Sequence, residues 1–351
     1  MALASVIKKS LCLEETMKLT KVVLALAASA VMFGAASCTK KSSGSADGKK
    51  VKIGIAKIVQ HVALDSVEQG IIDVLKENGV DAEFDLQNAN GDVNTAAQIA
   101  MKYRDENVDV AVGIATPVAQ ALAKTLKDTP VVFGTVTDPV DAGLVSTLEH
   151  GEGNVTGMSD AIPTEQHIKL FKDITGIKTL GYIYSSNEAN SVSSLELVKA
   201  ACEKYGIALV TQSITNSSEV KQAAETIVDR VDGIYLTTDN TVFSALSALI
   251  QVLEKAKKPI FSGDVTGAME GGCAIASGFN YYKAGRATGE MVLQILNGEK
   301  PADMPVRFMT EPGDSDFLLN LDALKNCGIS VSKDVLESAN LIFENGKLTS
   351  K

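Results

Sequence analysis

The chain has 351 residues, 45% of them apolar and 22% charged, and carries a formal net charge of −10. That is enough chain for two ordinary domains, each with a real core. After residue 50 there is no basic run, so the Lys and Arg density from which phosphate-backbone affinity comes is missing, and nucleic-acid binding is excluded.

The N-terminus does not look like part of a fold. Met17-Lys18-Leu19-Thr20-Lys21 is a short basic stretch running into an apolar segment from Val22 to Ala36, then small residues, then Cys38. This is the order of a secretory signal, too short and alanine-rich for a membrane-spanning helix. Residues 1–38 are therefore expected to be a signal and lipoprotein segment, with Met17 as an alternative start. Ala35-Ala36-Ser37-Cys38 resembles a bacterial lipobox, which would make Cys38 the lipid acceptor and the mature protein membrane-anchored and extracytoplasmic. Residues 39–50 are Lys, Ser, Gly and Asp with a single Thr and a single Ala, the composition of a flexible tether.

From Val51 short apolar runs alternate with amphipathic ones. Val51 to Ala56 reads as a strand, and Leu64, Val67, Ile71, Val74 and Leu75 have helical spacing up to a stop at Asn78-Gly79. A helix is predicted over about Asn94–Glu106, strands over Asp109–Ile114 and Pro130–Gly134, and a helix from Pro117 between them. The second half repeats the pattern. Strands are predicted at Leu180–Tyr184, Asp232–Leu236 and Pro259–Gly263, with helices at about Ser191–Tyr205, Glu219–Val228 and Thr241–Lys255. Such alternation means βαβ units and parallel sheets. Two successive blocks predict an α/β protein of two lobes. Crossovers are expected near 160–163, 279–282 and 308–312, which would assign 51–160 plus about 281–308 to one lobe and 161–280 plus about 309–345 to the other.

The informative residues lie where strands end. Thr116-Pro117, Thr137-Asp138-Pro139, the Ser185–Ser191 stretch, Thr238-Asp239-Asn240-Thr241 and Asp264-Val265-Thr266 each follow a strand and are expected to open a helix. In open α/β sheets that edge faces the binding crevice, and helix N-termini there offer free N–H groups to an anion. Any single Thr or Asn can equally be a cap, and Asp138 and Asp239 can serve only their helices. Asp264 leads a weak, glycine-rich helix and is the better candidate for a ligand ammonium.

Other chemistries lack support. Of the three histidines, His61, His150 and His167, none is spaced with another for zinc, and no metal or cofactor is expected. There is no GxSxG elbow and no GxxxxGK loop. Gly151–Gly157 reads as a surface loop. Cys202, Cys273 and Cys327 give neither metal spacing nor a disulfide framework, which leaves one bridged pair or buried free thiols. No enzyme activity is expected.

Several motifs together are similar to one family. They are Gln60-His61-Val62-Ala63-Leu64-Asp65, Gln87-Asn88-Ala89, Ala115-Thr116-Pro117-Val118-Ala119-Gln120, Thr137-Asp138-Pro139, Asn154-Val155-Thr156-Gly157, Glu188 with Asn190-Ser191, Thr238-Asp239-Asn240, Gly263-Asp264, and Tyr281-Tyr282 with Gly285-Arg286. From about Val51 to Pro305 the chain resembles the ABC transporter substrate-binding proteins that include tryptophan- and tyrosine-type amino-acid importers. The resemblance implies a type I periplasmic-binding fold with a small solute between the lobes, and a permease with its ATPase as partners of a monomeric receptor. It also implies ligand contacts from the matching turns: Gln60, His61, Ala63, Leu64 and Asp65; Thr116, Pro117, Thr137 and Asp138; Ser186, Glu188, Asn190 and Ser191; and Thr238, Asp239, Asn240 and Asp264. An amino acid would need donors near Thr116, Ser186 or Thr238 for its carboxylate, and Asp264 or Asp239 for its ammonium. Phe243, Phe279 or Tyr281 would wall an aromatic side chain or simply pack the core. A sensor of the same fold, or a nucleoside or sugar receptor, are the alternatives.

Overall fold

A computed structural model describes residues 50–351 except Glu270 and Pro312. The signal segment, Cys38 and nearly all of the tether lie outside the described residues. The first sheet is built by β1 (Val51–Lys57), β2 (Ala82–Asn88), β3 (Val110–Ile114), β4 (Val131–Gly134) and β5 (Val155–Ser159), joined in part by helices α1 (Val62–Glu77), α2 (Val93–Asp105) and α3 (Thr116–Thr125). β3 and β4 are buried along their whole length, as strands covered on both faces must be.

After β5 the chain crosses to a second sheet through α4 (Thr164–Thr175). It then runs β6 (Thr179–Ser185), α5 (Ala189–Tyr205), β7 (Ala208–Ile214), α6 (Val220–Ile227), β8 (Gly233–Leu236), α7 (Asn240–Phe243), α8 (Leu246–Ala256), β9 (Ile260–Ser262) and β10 (Ile275–Phe279). It returns through α9 (Tyr281–Leu296), which packs on α1, and β11 (Arg307–Phe308), which pairs with β5. A third crossing leads to β12 (Ser315–Asn320), α10 (Leu321–Asn326), α11 (Lys333–Ser338), β13 (Leu341–Glu344) and β14 (Lys347–Ser350). The sheet orders are β11-β5-β4-β3-β1-β2 and β14-β13-β12-β10-β9-β8-β6-β7. The first is parallel throughout; in the second, β12 runs antiparallel to β10 and β14 to β13.

The α1–α9 contact shows why two glycines stand where they do. A Cβ on Gly285 would lie 2.2 Å from Val67 O, and one on Gly70 would lie 2.4 Å from Tyr282 O. Backbone atoms cannot yield as a side chain can, so both positions need glycine for the two helices to meet this closely. Tyr282 and Arg286 extend the seam outward, donating to Asp73 and Glu77.

Several expected elements differ. Thr116 is the first residue of α3 and not its cap, a role Ala115 takes without a side-chain bond. No helix follows Thr137-Asp138-Pro139; the Asp138 carboxylate accepts the Val140 and Asp141 N–H groups and holds a turn. Asp264 leads only a short 3-10 turn, Thr266–Ala268. Gly151–Gly157 is not wholly a surface loop, since its end enters β5. The helix expected over Thr241–Lys255 breaks into α7 and α8 at Ser244-Ala245. All three cysteines are free.

Candidate functional site

The carboxyl ends of both sheets open on one gap. On the first lobe, β1 delivers the Ile58–His61 loop, and His61 caps α1 by accepting the Ala63 N–H on Nδ1 at 3.3 Å. β3 passes straight into α3 through Ala115, at φ 74° and ψ 156°, a region non-glycine residues avoid. Its N–H is held by Gly134 O at 2.9 Å, and the strained turn points the uncapped start of α3 at the gap. Thr135, after β4, is also left-handed at φ 53°, and its buried hydroxyl has no partner among the described residues. Asp160 follows β5 and accepts from the Thr137 hydroxyl at 3.0 Å.

On the second lobe two acids hold the turns. Glu188 accepts from the N–H groups of Asn240 and Thr241, from the Asn240 and Asn190 amides, and from the Thr241 hydroxyl. Asp239 accepts from Ser185 N, the Ser191 hydroxyl and Val242 N. Asp264 spends one oxygen on the N–H and hydroxyl of Thr266, both at 2.7 Å.

The gap is lined from the first lobe by Val59, His61, Ala63, Leu64, Ala115, Thr116, Thr135, Thr137 and Asp160, and from the second by Asn190, Thr238, Asp239, Asn240, Phe243 and Asp264. Tyr281 closes it from the start of α9. No Lys or Arg is among them. Burial pushes Asp160 up to about 6, helped by the nearby charge of Asp264. Burial, with Glu188 adding repulsion, pushes Asp239 up to about 7. Asp264 is raised by burial as well, with the His61 ring acting against it. The site is therefore a dry pocket rich in acid and short of cations. Among the described residues no group of three His, Cys, Asp or Glu side chains is placed to hold a metal.

Of the residues expected here, His61, Ala63, Leu64, Thr116, Thr137, Asn190, Thr238, Asp239, Asn240 and Asp264 line the gap. The others stand behind it or outside. Gln60 is exposed. Asp65 turns to Lys57 at 2.6 Å. Pro117 is buried in the first turn of α3, and Asp138 holds its turn. The Ser186 hydroxyl donates to Ile214 O, while Ser191 and Glu188 brace Asp239 and Asn240. Phe243 and Tyr281 do face the gap; Phe279 does not line it. Val59, Ala115, Thr135 and Asp160 were not singled out as contacts. In the sequence, Ala115 stood in a family-like motif and Asp160 at an expected crossover, while Val59 and Thr135 carried no signal.

The lobes also touch across the gap. The Thr137 and Thr238 hydroxyls are 3.0 Å apart, the Ser193 hydroxyl donates to Asp141 at 2.9 Å, and the His61 and Phe243 rings meet edge-on with centroids 5.6 Å apart.

A family model described as ABC transporter substrate binding protein matches residues 52–342. The chain belongs to that family. It is a solute-binding protein of an ABC transporter, a class that works outside the cytoplasm with a small solute and a permease as partners. Among the described residues no helix is long and apolar enough to cross a membrane. A curated relative named tyrosine-binding protein, from Clostridioides difficile, is 35% identical over 80% of this chain and 81% of its own length. A solved structure from Streptococcus pneumonia, described as an ABC domain in complex with L-Trp, is 34% identical, with a TM-score of 0.80 over 84% of this chain and 100% of that one. The ligand-free, open structure of a substrate-binding protein with adhesive properties from Clostridium difficile is 36% identical, with a TM-score of 0.61 over 81% of this chain and 96% of that one. The contacts across the gap agree with a closed arrangement.

Proposed function

We propose that this substrate-binding protein is the lipid-anchored receptor of an amino-acid importer and that it binds its ligand as a zwitterion, releasing it unchanged. The carrying observation is the lining, with Asp160, Asp239 and Asp264 buried and no Lys or Arg to balance them. A buried carboxylate is costly unless paired. The ammonium of an amino acid supplies the missing charge beside Asp264 and Asp160, whereas Asp239 already has its oxygens occupied. The ligand carboxylate finds only neutral donors: the free N–H groups at the start of α3, the Thr116 hydroxyl and the unpartnered Thr135 hydroxyl. Hydrogen bonds to charged groups contribute roughly 1.5–3 kcal/mol each. Three or four of them, with an aromatic side chain between Phe243 and Tyr281, reach the roughly −8 kcal/mol of a micromolar site. The ligands for which the relatives are named or described, tyrosine and L-Trp, carry both charges.

Calorimetry of the purified protein with L-tyrosine, L-tryptophan and their des-amino acids tests this reading. Loss of the amino group should weaken binding about a hundredfold. Des-amino acids that bind as well as the amino acids, or binding of sugars and nucleosides alone, would refute it.

Anchoring rests on Cys38 after its lipobox-like run. Metabolic labelling with a fatty-acid analogue should mark the protein and leave the Cys38→Ala variant unmarked. Equal labelling of both would remove Cys38 as the anchor.

A further inference from the structure

Asn190, in the first turn of α5, is 4% exposed and faces the gap. Its amide nitrogen donates to Glu188 Oε2 at 3.2 Å and to Thr238 O at 3.1 Å. Glu188 cannot turn away, because four further donors from Asn240 and Thr241 pin it. Rotating the amide by half a turn would set its oxygen against a carboxylate and a carbonyl, so the orientation is settled by the acceptors around it. The outcome is an amide oxygen that is fully buried and has no partner among the described residues. A buried acceptor left empty is costly, and here it belongs to a residue that lines the gap.

Its place in the gap differs from that of Asp264 and Asp160. Asp264 follows β9 and interacts with Asp160 and His61, whereas Asn190 follows β6, with β8 between them in the sheet. The Asn190 amide hydrogen-bonds Thr238 O after β8, so the step to Asp264 is the β8–β9 strand spacing of about 5 Å plus the reach of the amide itself. An amino acid with its ammonium at Asp264 and a polar atom on its aromatic ring can bridge such a separation.

We propose that Asn190 Oδ1 accepts a hydrogen bond from the tip of the ligand's side chain, so that the site selects aromatic amino acids bearing an O–H or N–H over their hydrocarbon counterparts. This rests on the zwitterion reading and deepens it. Glu188 is the positioning residue that keeps the oxygen turned to the gap, and selectivity arises because a donorless ligand leaves Oδ1 buried and unmet.

Calorimetry tests the assignment with two pairs of probes, L-tyrosine against 4-fluoro-L-phenylalanine and L-tryptophan against 1-methyl-L-tryptophan. In at least one pair the unaltered protein should prefer the donor-bearing member by about tenfold or more. The Asn190→Leu variant should lose that preference, the donor-bearing member weakening about tenfold more than the donorless one. Equal affinities within both pairs overturn the assignment and leave the zwitterion reading standing. A parallel loss of both members in Asn190→Leu also overturns it, since it would place the ammonium at Asn190. Binding of none of the four defeats both proposals. The comparison within the unaltered protein decides the matter even where the variant does not fold.

Discussion

Asp160 follows the last common strand of the first lobe and is buried, with the Thr137 hydroxyl as its hydrogen-bond donor. Burial lifts its carboxyl from an ordinary 3.8 to about 6. The native state then holds this proton more tightly than the unfolded chain, so this group's contribution to stability falls as pH rises between those values. Such a displacement corresponds to roughly 3 kcal/mol. His167 acts with the opposite sign: burial pushes its imidazole from 6.5 down to about 3, and its contribution rises with pH over that range. Comparing variants cancels it. In urea unfolding without ligand, Asp160→Asn should match the unaltered protein near pH 4 and exceed it by roughly 3 kcal/mol at pH 7. A gap that does not change with pH would mean that Asp160 is not ionised in a dry site. The same ionised carboxylate is what a ligand ammonium would pair with, so stability given up by the empty protein is returned on binding. Asp264 could be picked out in sequence because it leads no strong helix. Asp160 could not, since only the approach of the two lobes makes its surroundings dry.

At the level of elements, the buried parallel strands β3, β4, β6 and β8 were legible as short apolar runs between helical ones. The strands that escaped notice have physical reasons for doing so. β2 and β7 are the outer strands beside β1 and β6, and both mix half-buried with exposed residues, so neither makes an apolar run. β5 is buried along its whole length but is spelled Val-Thr-Gly-Met-Ser at the end of a glycine-rich stretch. Gly157 is there for space, because a Cβ would fall 2.1 Å from Phe133 O. Glycine read as a loop signal was in this case a signal of crowding between neighbouring strands. The break between α7 and α8 was likewise hidden, since Ser244 and Ala245 are ordinary helix residues in a pattern that continues through them. At the turns, residue type revealed polarity and left direction open. Glu188 and Asn190 stand two residues apart, yet one braces a turn and the other lines the gap.

For the whole molecule, affinity depends on the population of the closed form as well as on contacts with the ligand. If only a fraction of the empty protein is closed, the apparent Kd is the intrinsic one divided by that fraction. Contacts between the lobes that never touch ligand should therefore scale every affinity alike. The Ser193–Asp141 hydrogen bond is such a contact, formed at the rim between exposed groups outside the lining. Exposed pairs of this kind contribute no more than about 1 kcal/mol, so Ser193→Ala should raise Kd by up to about fivefold. The factor should be the same for L-tyrosine, L-tryptophan and any weaker amino acid that binds. Small-angle scattering of the empty variant should show a larger radius of gyration than the unaltered protein, with the difference removed at saturating ligand. An effect on one ligand alone would move Ser193 from the rim into the recognition surface, and an unchanged Kd with unchanged scattering would mean that this contact does not bias the lobes.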